Sequence, residues 1–347
     1  MRITVLAGGL TPERDVSLTT SVKAAEALRE RGHEVAVIDL FCGVEEPIED
    51  MDAFFAAGGT IREGGISTTA PDLEALKAGR RDKSPSRIGE QVLKVCQAAD
   101  IVFIGIHGGD GENGNLQAML DMLGVKYTGG DTLGCALAMD KPAAKTMFAA
   151  AGLQVPGGCV IRRGQPVPQE LPLPCFVKPC HGGSSVATTM LEDMSGLPEA
   201  LAAVFACNDD ALVEPYIRGR EVQVGLLGDQ ALPPIEIVCD HGFFDYEMKY
   251  QAGACREICP APIDADATAR LQEAALTAFR AVGLAVYSRA DFILCPDGSI
   301  WLLEINPLPG MTPTSLVPQE AAAVGISYGE LCQRIVDLSL AKYEKRN

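Results

Sequence analysis

The chain opens on an apolar run, "RITVLAGG", that halts at paired glycines. A stretch at helical period follows, "SLTTSVKAAEALRERG", closed by Gly32, and then a second apolar run, "EVAVIDLF". Short apolar runs bounded by turn residues read as buried strands, and a spacing near 3.6 reads as an amphipathic helix. "DIVFIGIHGGDGENG" brings back a strand ending in glycines, ahead of the helix "NLQAMLDMLG". Together these predict a small open parallel sheet whose glycine-rich turns lie at strand C-termini, where such sheets bind ligands. Residues 43–90, with Gly, Pro, Ser and charges, predict loops and short elements.

A second unit opens at "AMDKPAAKTMFAAAGL", where Asp140 can cap a helix whose first turn accepts Pro142. It continues through "PCFVKPCHGGSSVATTM", two strands about a glycine loop, and ends near "ALVEPYIRGRE". The third unit predicts strands at 221–227 and 233–238, a mobile segment at 240–260, a helix at 264–282 and a final amphipathic helix from about 327. The expected divisions are 1–135, 136–218 and 219–347, and a chain of 347 residues exceeds one usual hydrophobic core. The fold class is α/β and α+β, multi-domain, with the parallel-sheet unit first.

"YSRADFILCPDGSIWLLEINPLPG" reads as a hairpin about Asp297-Gly298, a strong two-residue turn signal. Such a turn sets Asp291 opposite Glu304 and Arg289 opposite Asn306, all on one face. Ala290, Phe292, Leu294, Leu303 and Ile305 fall on the core face. Facing Cβ atoms lie about 5 Å apart, where two carboxylates repel by roughly 3 kcal/mol at an effective dielectric near 20. Arg289 offers one countercharge. The Asp/Glu/Asn set also offers oxygen donors of the kind magnesium accepts beside substrate phosphates. The alternative is that both acids splay into water at a sheet edge.

Charge sharpens this. Against 29 Lys+Arg stand 46 Asp+Glu, a net −17, with no basic block, which argues against nucleic acid and anionic membrane as partners. An anionic substrate would need cations gathered locally. Lys141, Lys178 and Lys249 each sit beside a turn or strand end, and "HGGSS" can turn backbone N–H groups toward phosphate oxygens, although it lacks the Gly-Lys-Ser/Thr of a P-loop. Several cation sites with a carboxylate pair describe a magnesium–nucleotide site. The twelve cysteines are scattered with no Cys-x-x-Cys, which predicts a reduced protein with buried free thiols. No run of eighteen apolar residues occurs and the first residues do not suit a signal peptide, so a cytoplasmic location is expected.

The chain resembles the D-alanine–D-alanine ligases of the ATP-grasp superfamily nearly end to end. The likeness is carried in order by "GGLTPERDVSL" (8–18), "HGGDGENGNLQAML" (107–120), "YTGGDTLGCALAMDK" (127–141), "FVKPCHGGSSV" (176–186), "LVEPYIRGREV" (212–222), "FFDYEMKY" (243–250), "CPAPI" (259–263), "SRADF" (288–292) and "LLEINPLPGMTPTSLVP" (302–318). The resemblance implies that the second and third units form a two-lobed ATP-grasp. It also implies that ATP phosphorylates one D-alanine to an acyl phosphate, and that the amine of a second D-alanine attacks it to give a peptidoglycan precursor. Lys141, Lys178 and Lys249 would meet phosphates; Glu214, Tyr216, Ile217 and Glu221 would line the adenine and ribose pocket, with the 181–185 loop a lid. Asp291, Glu304 and Asn306 would hold two Mg²⁺ ions, with Mn²⁺ an alternative. Arg289 and the Gly310 N–H would stabilise the oxyanion. Glu13, with His107 nearby, would hold the first substrate's ammonium and Ser315 the second's carboxylate. Glu13, Ser184 and Tyr250 would form a hydrogen-bonded triad. A homodimer is implied.

A Lys-Tyr pair at 249–250 accompanies amine acceptors in the family, leaving D-serine, or another ATP-grasp ligase reaction, as the alternative. Asn113 stands where the family has Asp, Pro307-Leu308 follow the Asn306 position atypically, and Cys180 and His181 beside the loop read as variable residues rather than zinc ligands. A nicotinamide-dependent oxidoreductase, suggested by the first glycine turn and Asp39, lacks the third glycine of its fingerprint. A catalytically silent paralogue is argued against by the intact set of Glu13, Ser184, Tyr250, Arg289, Asp291, Glu304 and Asn306.

Overall fold

The computed structural model describes residues 1–65, 71–183, 186–239 and 255–344. Its first sheet is parallel, in the order β2-β1-β3, from β1 (Arg2–Ala7), β2 (Glu34–Asp39) and β3 (Ile101–Ile104). These strands are apolar and almost wholly buried because helices cover them. Helix α1 (Arg14–Glu30) starts three residues before the predicted stretch and ends where Gly32 takes a left-handed φ of +84°. Short helices α2 (Met51–Ala56), α3 (Leu73–Gly79) and α4 (Val92–Gln97) fill the irregular region, and α5 (Asn115–Met122) follows β3. Asn113 keeps its turn, as its side chain accepts from the Asn115 N–H at 3.1 Å.

Helix α6 (Thr132–Met139) leads to α7 (Lys141–Ala150), which Asp140 caps by accepting from the Ala143 N–H at 3.0 Å. A four-stranded antiparallel sheet, β4-β7-β5-β6, then forms from β4 (Cys159–Ile161), β5 (Cys175–Pro179), β6 (Thr189–Leu191) and β7 (Ala211–Pro215), backed by α8 (Leu197–Ala206). The third sheet is antiparallel, β11-β10-β8-β12-β13. It comprises β8 (Arg220–Leu227), the short β9 (Gln230–Ala231) beside it, β10 (Ile235–Cys239), β11 (Cys255–Ile258), β12 (Tyr287–Leu294) and β13 (Ile300–Asn306). Helix α9 (Ala265–Ala281) covers it, buried at Leu271, Ala275 and Ala278 in steps of four and three. Phe292 is fully buried between this sheet and α9. Phe292→Ala is expected to lower unfolding free energy by about 3–5 kcal/mol, read as an earlier denaturant midpoint.

The last two helices, α10 (Leu316–Ala323) and α11 (Tyr328–Glu344), follow the third sheet in sequence but share a core with the first. The stripe Leu331, Cys332, Ile335 and Val336 is buried there, Lys342 pairs with Asp131 at 2.9 Å, and the Tyr343 hydroxyl accepts from the Tyr127 N–H at 3.0 Å. The chain thus returns to its beginning, and the loop 307–315 is carried across the mouth of the first sheet.

One expectation needs correction. Cys239 and Cys255, cross-strand partners on β10 and β11, are joined by a disulfide, and of the ten free thiols Cys42 and Cys207 are exposed. The expectation of a reduced protein with buried free thiols fails at this pair because scatter along the sequence says nothing of which cysteines adjacent strands bring face to face. The predicted mobile segment, 240–260, lies outside the described residues as far as 254, and its end is β11.

Candidate active site

The β12–β13 hairpin pairs Asp291 with Glu304 and Arg289 with Asn306, the register predicted, but it arrives there by another route. The turn is not two residues long. The Cys295 N–H donates to the Ser299 carbonyl and the Gly298 N–H to the Cys295 carbonyl, each at 2.9 Å, leaving Pro296, Asp297 and Gly298 in the loop. Near the turn the pairing is therefore one residue off, with Phe292 facing Leu302, and a bulge between Phe292 and Asp291 restores it. The residue inserted by the bulge is Leu303. It lines a cavity instead of the core, and Leu302 takes the buried place.

The bulge gathers polar groups. Asp291 lies between Glu304 on β13 and Gln223 on β8, its register partners on either side. Arg289 donates to both Asp291 oxygens, at 2.8 and 2.9 Å, and Lys141 Nζ stands 3.8 Å from Glu304. Asn306 Oδ1 accepts from the Leu308 N–H at 3.0 Å. Burial opposes the charge on Arg289, and the paired Asp291 outweighs it, so the guanidinium is held above its ordinary range. Two carboxylates and an amide oxygen at adjoining positions are donors that a hard divalent cation accepts. Among the described residues no three Asp, Glu, His or Cys side chains cluster for a metal. The set fits Mg²⁺.

Two cavities meet here. The first, about 540 Å³, lies between the second and third sheets and is lined by Lys178, Glu214, Tyr216, Ile217, Glu221 and Asp291. The second, about 240 Å³, is lined by Glu13, His107, Arg289, Gly310 and Ser315 with Glu112. Lys141, Gly182, Gly183, Gln223 and Glu304 line both, so they form the boundary. Ser184, Lys249 and Tyr250 lie outside the described residues.

In the first cavity, buried Glu214 is ion-paired at 2.7 Å to both Lys145 and Lys178. Burial pushes the Lys145 amine down to about 8 against the pull of Glu214. Sequence reading missed Lys145, although it stands one helical turn after Lys141 on α7. Burial likewise lowers the Lys141 amine, opposed by Glu304.

In the second cavity, Glu13 immediately precedes α1, and Gly108 lies against it with φ +72°, where an added Cβ would come within 2.7 Å of Glu13 Oε2. A Cβ at Gly310 would come within 3.0 Å of Ser315 Oγ, so glycine there permits the close approach of that loop. His107 is buried with both ring nitrogens engaged. Nδ1 donates to the Leu308 carbonyl at 3.1 Å, and Nε2, 2.9 Å from the Thr20 hydroxyl, is left to accept. Burial pushes its pKa down, so the ring is neutral, tying α1 to the 307–315 loop. Glu112, also missed, has its carboxyl raised to about 8 by burial and then by Glu13. Asp39 is buried and its oxygens are taken by Arg14 at 2.5 Å and by the Phe41 and Cys42 N–H groups, leaving it no role at a nicotinamide ribose.

Comparison with known proteins meets this geometry. Family models described as D-ala D-ala ligase N-terminus and C-terminus match residues 2–130 and 161–337. The D-alanine–D-alanine ligase of Pediococcus pentosaceus is 39% identical over 340 residues, 97% of each chain. That of Desulfovibrio desulfuricans is 39% identical over 100% of this chain and 99% of its own. Among solved structures, the Bacillus anthracis D-alanine–D-alanine ligase complexed with ATP has a TM-score of 0.75 at 25% identity, covering 100% of both chains. The VanG D-Ala:D-Ser ligase from Enterococcus faecalis has a TM-score of 0.76 at 28% identity, covering 97% and 99%. The full-length match and the paired cavities place the chain in the D-alanine–D-alanine ligase family.

Proposed function

We infer that the chain joins two D-alanines into D-alanyl-D-alanine at the expense of ATP, through an acyl phosphate, supplying a peptidoglycan precursor. The observation that carries the reaction is the shared boundary. A nucleotide in the larger cavity reaches a substrate carboxylate in the smaller one only past Lys141, Gly182, Gly183, Gln223 and Glu304.

The residue roles are those the family likeness implies, and the lining of the two cavities supports them. Glu214, Tyr216, Ile217 and Glu221 hold adenine and ribose, and Lys141 and Lys178 bear on the phosphates. Lys178 exchanges part of its pairing with Glu214 for phosphate oxygens, and Lys145 remains to keep the buried Glu214 compensated. Asp291, Glu304 and Asn306 would hold two Mg²⁺ ions, or Mn²⁺ in their place. The chemistry supplied there when divalent ions are bound would be neutralisation of charge on the transferring phosphoryl oxygens. Glu13 takes the ammonium of the first D-alanine, with His107 shaping that end of the cavity. Ser315 takes the carboxylate of the second. Arg289 and the Gly310 N–H face the acyl carbon and stabilise the oxyanion when the second amine attacks. Ser184, Lys249 and Tyr250 keep their family assignments as proposals: a triad with Glu13, and a phosphate contact. A cytoplasmic homodimer is proposed on the family likeness; among the described residues no helix is long and apolar enough to cross a membrane.

The test is phosphate release from Mg-ATP with D-alanine alone, D-alanine plus D-serine, and D-alanine plus D-lactate. D-alanine alone is expected to drive release with dipeptide formed in equal amount. Absence of D-alanine-dependent release would discard the reading, and a dominant mixed product would move it to D-serine, the second reading that likeness to the D-Ala:D-Ser ligase favours.

A further inference from the structure

His181 reads as a variable loop residue in the sequence, yet the fold places it between two carboxylates from different elements. Its backbone N–H donates to Asp209 Oδ2 at 2.7 Å and its ring Nδ1 lies 2.8 Å from Asp209 Oδ1, in the turn leading to β7. Nε2 stands 3.5 Å from Asp140 Oδ2, the carboxylate that caps α7 through its other oxygen. Around it the backbone is clamped. Asp140 and His181 form a β-bridge, the Lys141 N–H donates to the Cys180 carbonyl at 3.0 Å, and Lys141 Nζ donates to the Gly182 carbonyl at 2.5 Å. A carboxylate only accepts, so a ring with a carboxylate at each nitrogen satisfies both only as the imidazolium, which carries two N–H donors.

We propose that protonated His181 is a positioning residue for ATP, cross-linking Asp209 to Asp140 so that Lys141, Gly182 and Gly183 are held at the boundary of the two cavities. The proposal rests on reading the larger cavity as the nucleotide site. Its consequence is a nucleotide affinity that depends on pH. The charged groups facing the ring are Asp140 and Lys141 at the start of α7, and Asp209 with Asp210 before β7. Neighbouring Cys180 is pushed up to about 12, by burial first, and stays neutral. Partial burial of His181 favours its neutral form, but the Asp209 bond and charge, with Asp140, prevail and raise its pKa. The sign follows. The cross-link is complete below the unperturbed imidazole range and is lost as pH rises through the raised value.

The ring is partly exposed, so the effect is that of a surface-type pair, about two- to fivefold in KM for ATP with kcat little changed. The experiment measures KM for ATP from pH 6 to 9 in the wild type, His181→Gln and His181→Arg. Wild type is expected to lose affinity through the His181 titration, while His181→Gln shows the weaker KM at all pH values. His181→Arg, carrying a fixed charge, should keep the low-pH KM and so remove this component from the background set by lysines common to all three. The His181 ring resonance, identified among the four histidines by its loss in His181→Gln, is expected to titrate above 6.5 without nucleotide. A midpoint at or below 6.5, or an unchanged pH profile in His181→Arg, overturns the proposal. If ATP does not bind at all, the reading of the larger cavity fails instead, and the resonance still reports the cross-link.

Discussion

Asp291→Ala and Glu304→Ala are each expected to lower turnover by roughly a thousandfold or more, since losing even an outer partner of a metal ligand costs 10–100-fold. Glu304 lines both cavities and Asp291, its partner on the adjoining strand, lines the larger, and no other described carboxylate stands in register with them on β12 and β13. The two variants differ in one respect. Glu304 is partly exposed, and Lys141 keeps its bond to the Gly182 carbonyl without it, so its removal is expected to cost less stability than that of Asp291. Asp291 receives both arms of the buried Arg289, so its alanine variant also strands a cation and is expected to lose stability. Asp291→Asn keeps an acceptor for one arm but no countercharge for Arg289, so turnover still falls and the unfolding midpoint drops as well, though less than in the alanine variant. Retained turnover in Glu304→Ala with a normal unfolding curve would show that the bulged tip is not the metal site.

How much of this was legible depends on what alternation can encode. The buried parallel strands, the Asp140 cap and the helix at 265–281 were readable because their signals are local: apolar runs, a capping residue before Pro142, a period near 3.6. The pairing of Asp291 with Glu304 was readable too, but for a reason that was half wrong. A longer turn shifted the register and a bulge shifted it back, and an inserted Leu303 leaves the apolar composition of β13 unchanged, so counting from the turn cannot detect either change. The final helix was visible as a helix, but a buried stripe does not name the core it enters, and α11 joins the first sheet. Lys145 and Glu112 escaped because their role comes from burial beside opposite or like charge, which depends on tertiary packing. Gln223 carried no signal in sequence, yet it stands beside Asp291 across β8 and β12.

Arg289→Lys is expected to lower kcat by about 10²–10³-fold while KM for ATP changes little, the scale of losing one oxyanion donor. Arg289 borders the smaller cavity, away from the adenine end, so nucleotide binding does not depend on it directly. Its planar fork spans both oxygens of Asp291, and an ammonium on a shorter reach cannot fix that carboxylate and also serve the oxyanion proposed in the smaller cavity. The cation also serves groups behind it. Glu320 on α10 is fully buried and accepts from the Gly225 N–H at 2.8 Å. Burial raises its carboxyl well above the ordinary range, with Gly225 and Arg289 acting in the opposite sense. Lysine keeps the charge and so most of that compensation, which makes it a better test than alanine: the fold is retained and the fork is lost. Steady-state kinetics in both substrates decide the matter. A loss confined to KM for ATP would place Arg289 with the nucleotide, whereas a fall in kcat with dipeptide formation slowed in single turnover places it at the oxyanion.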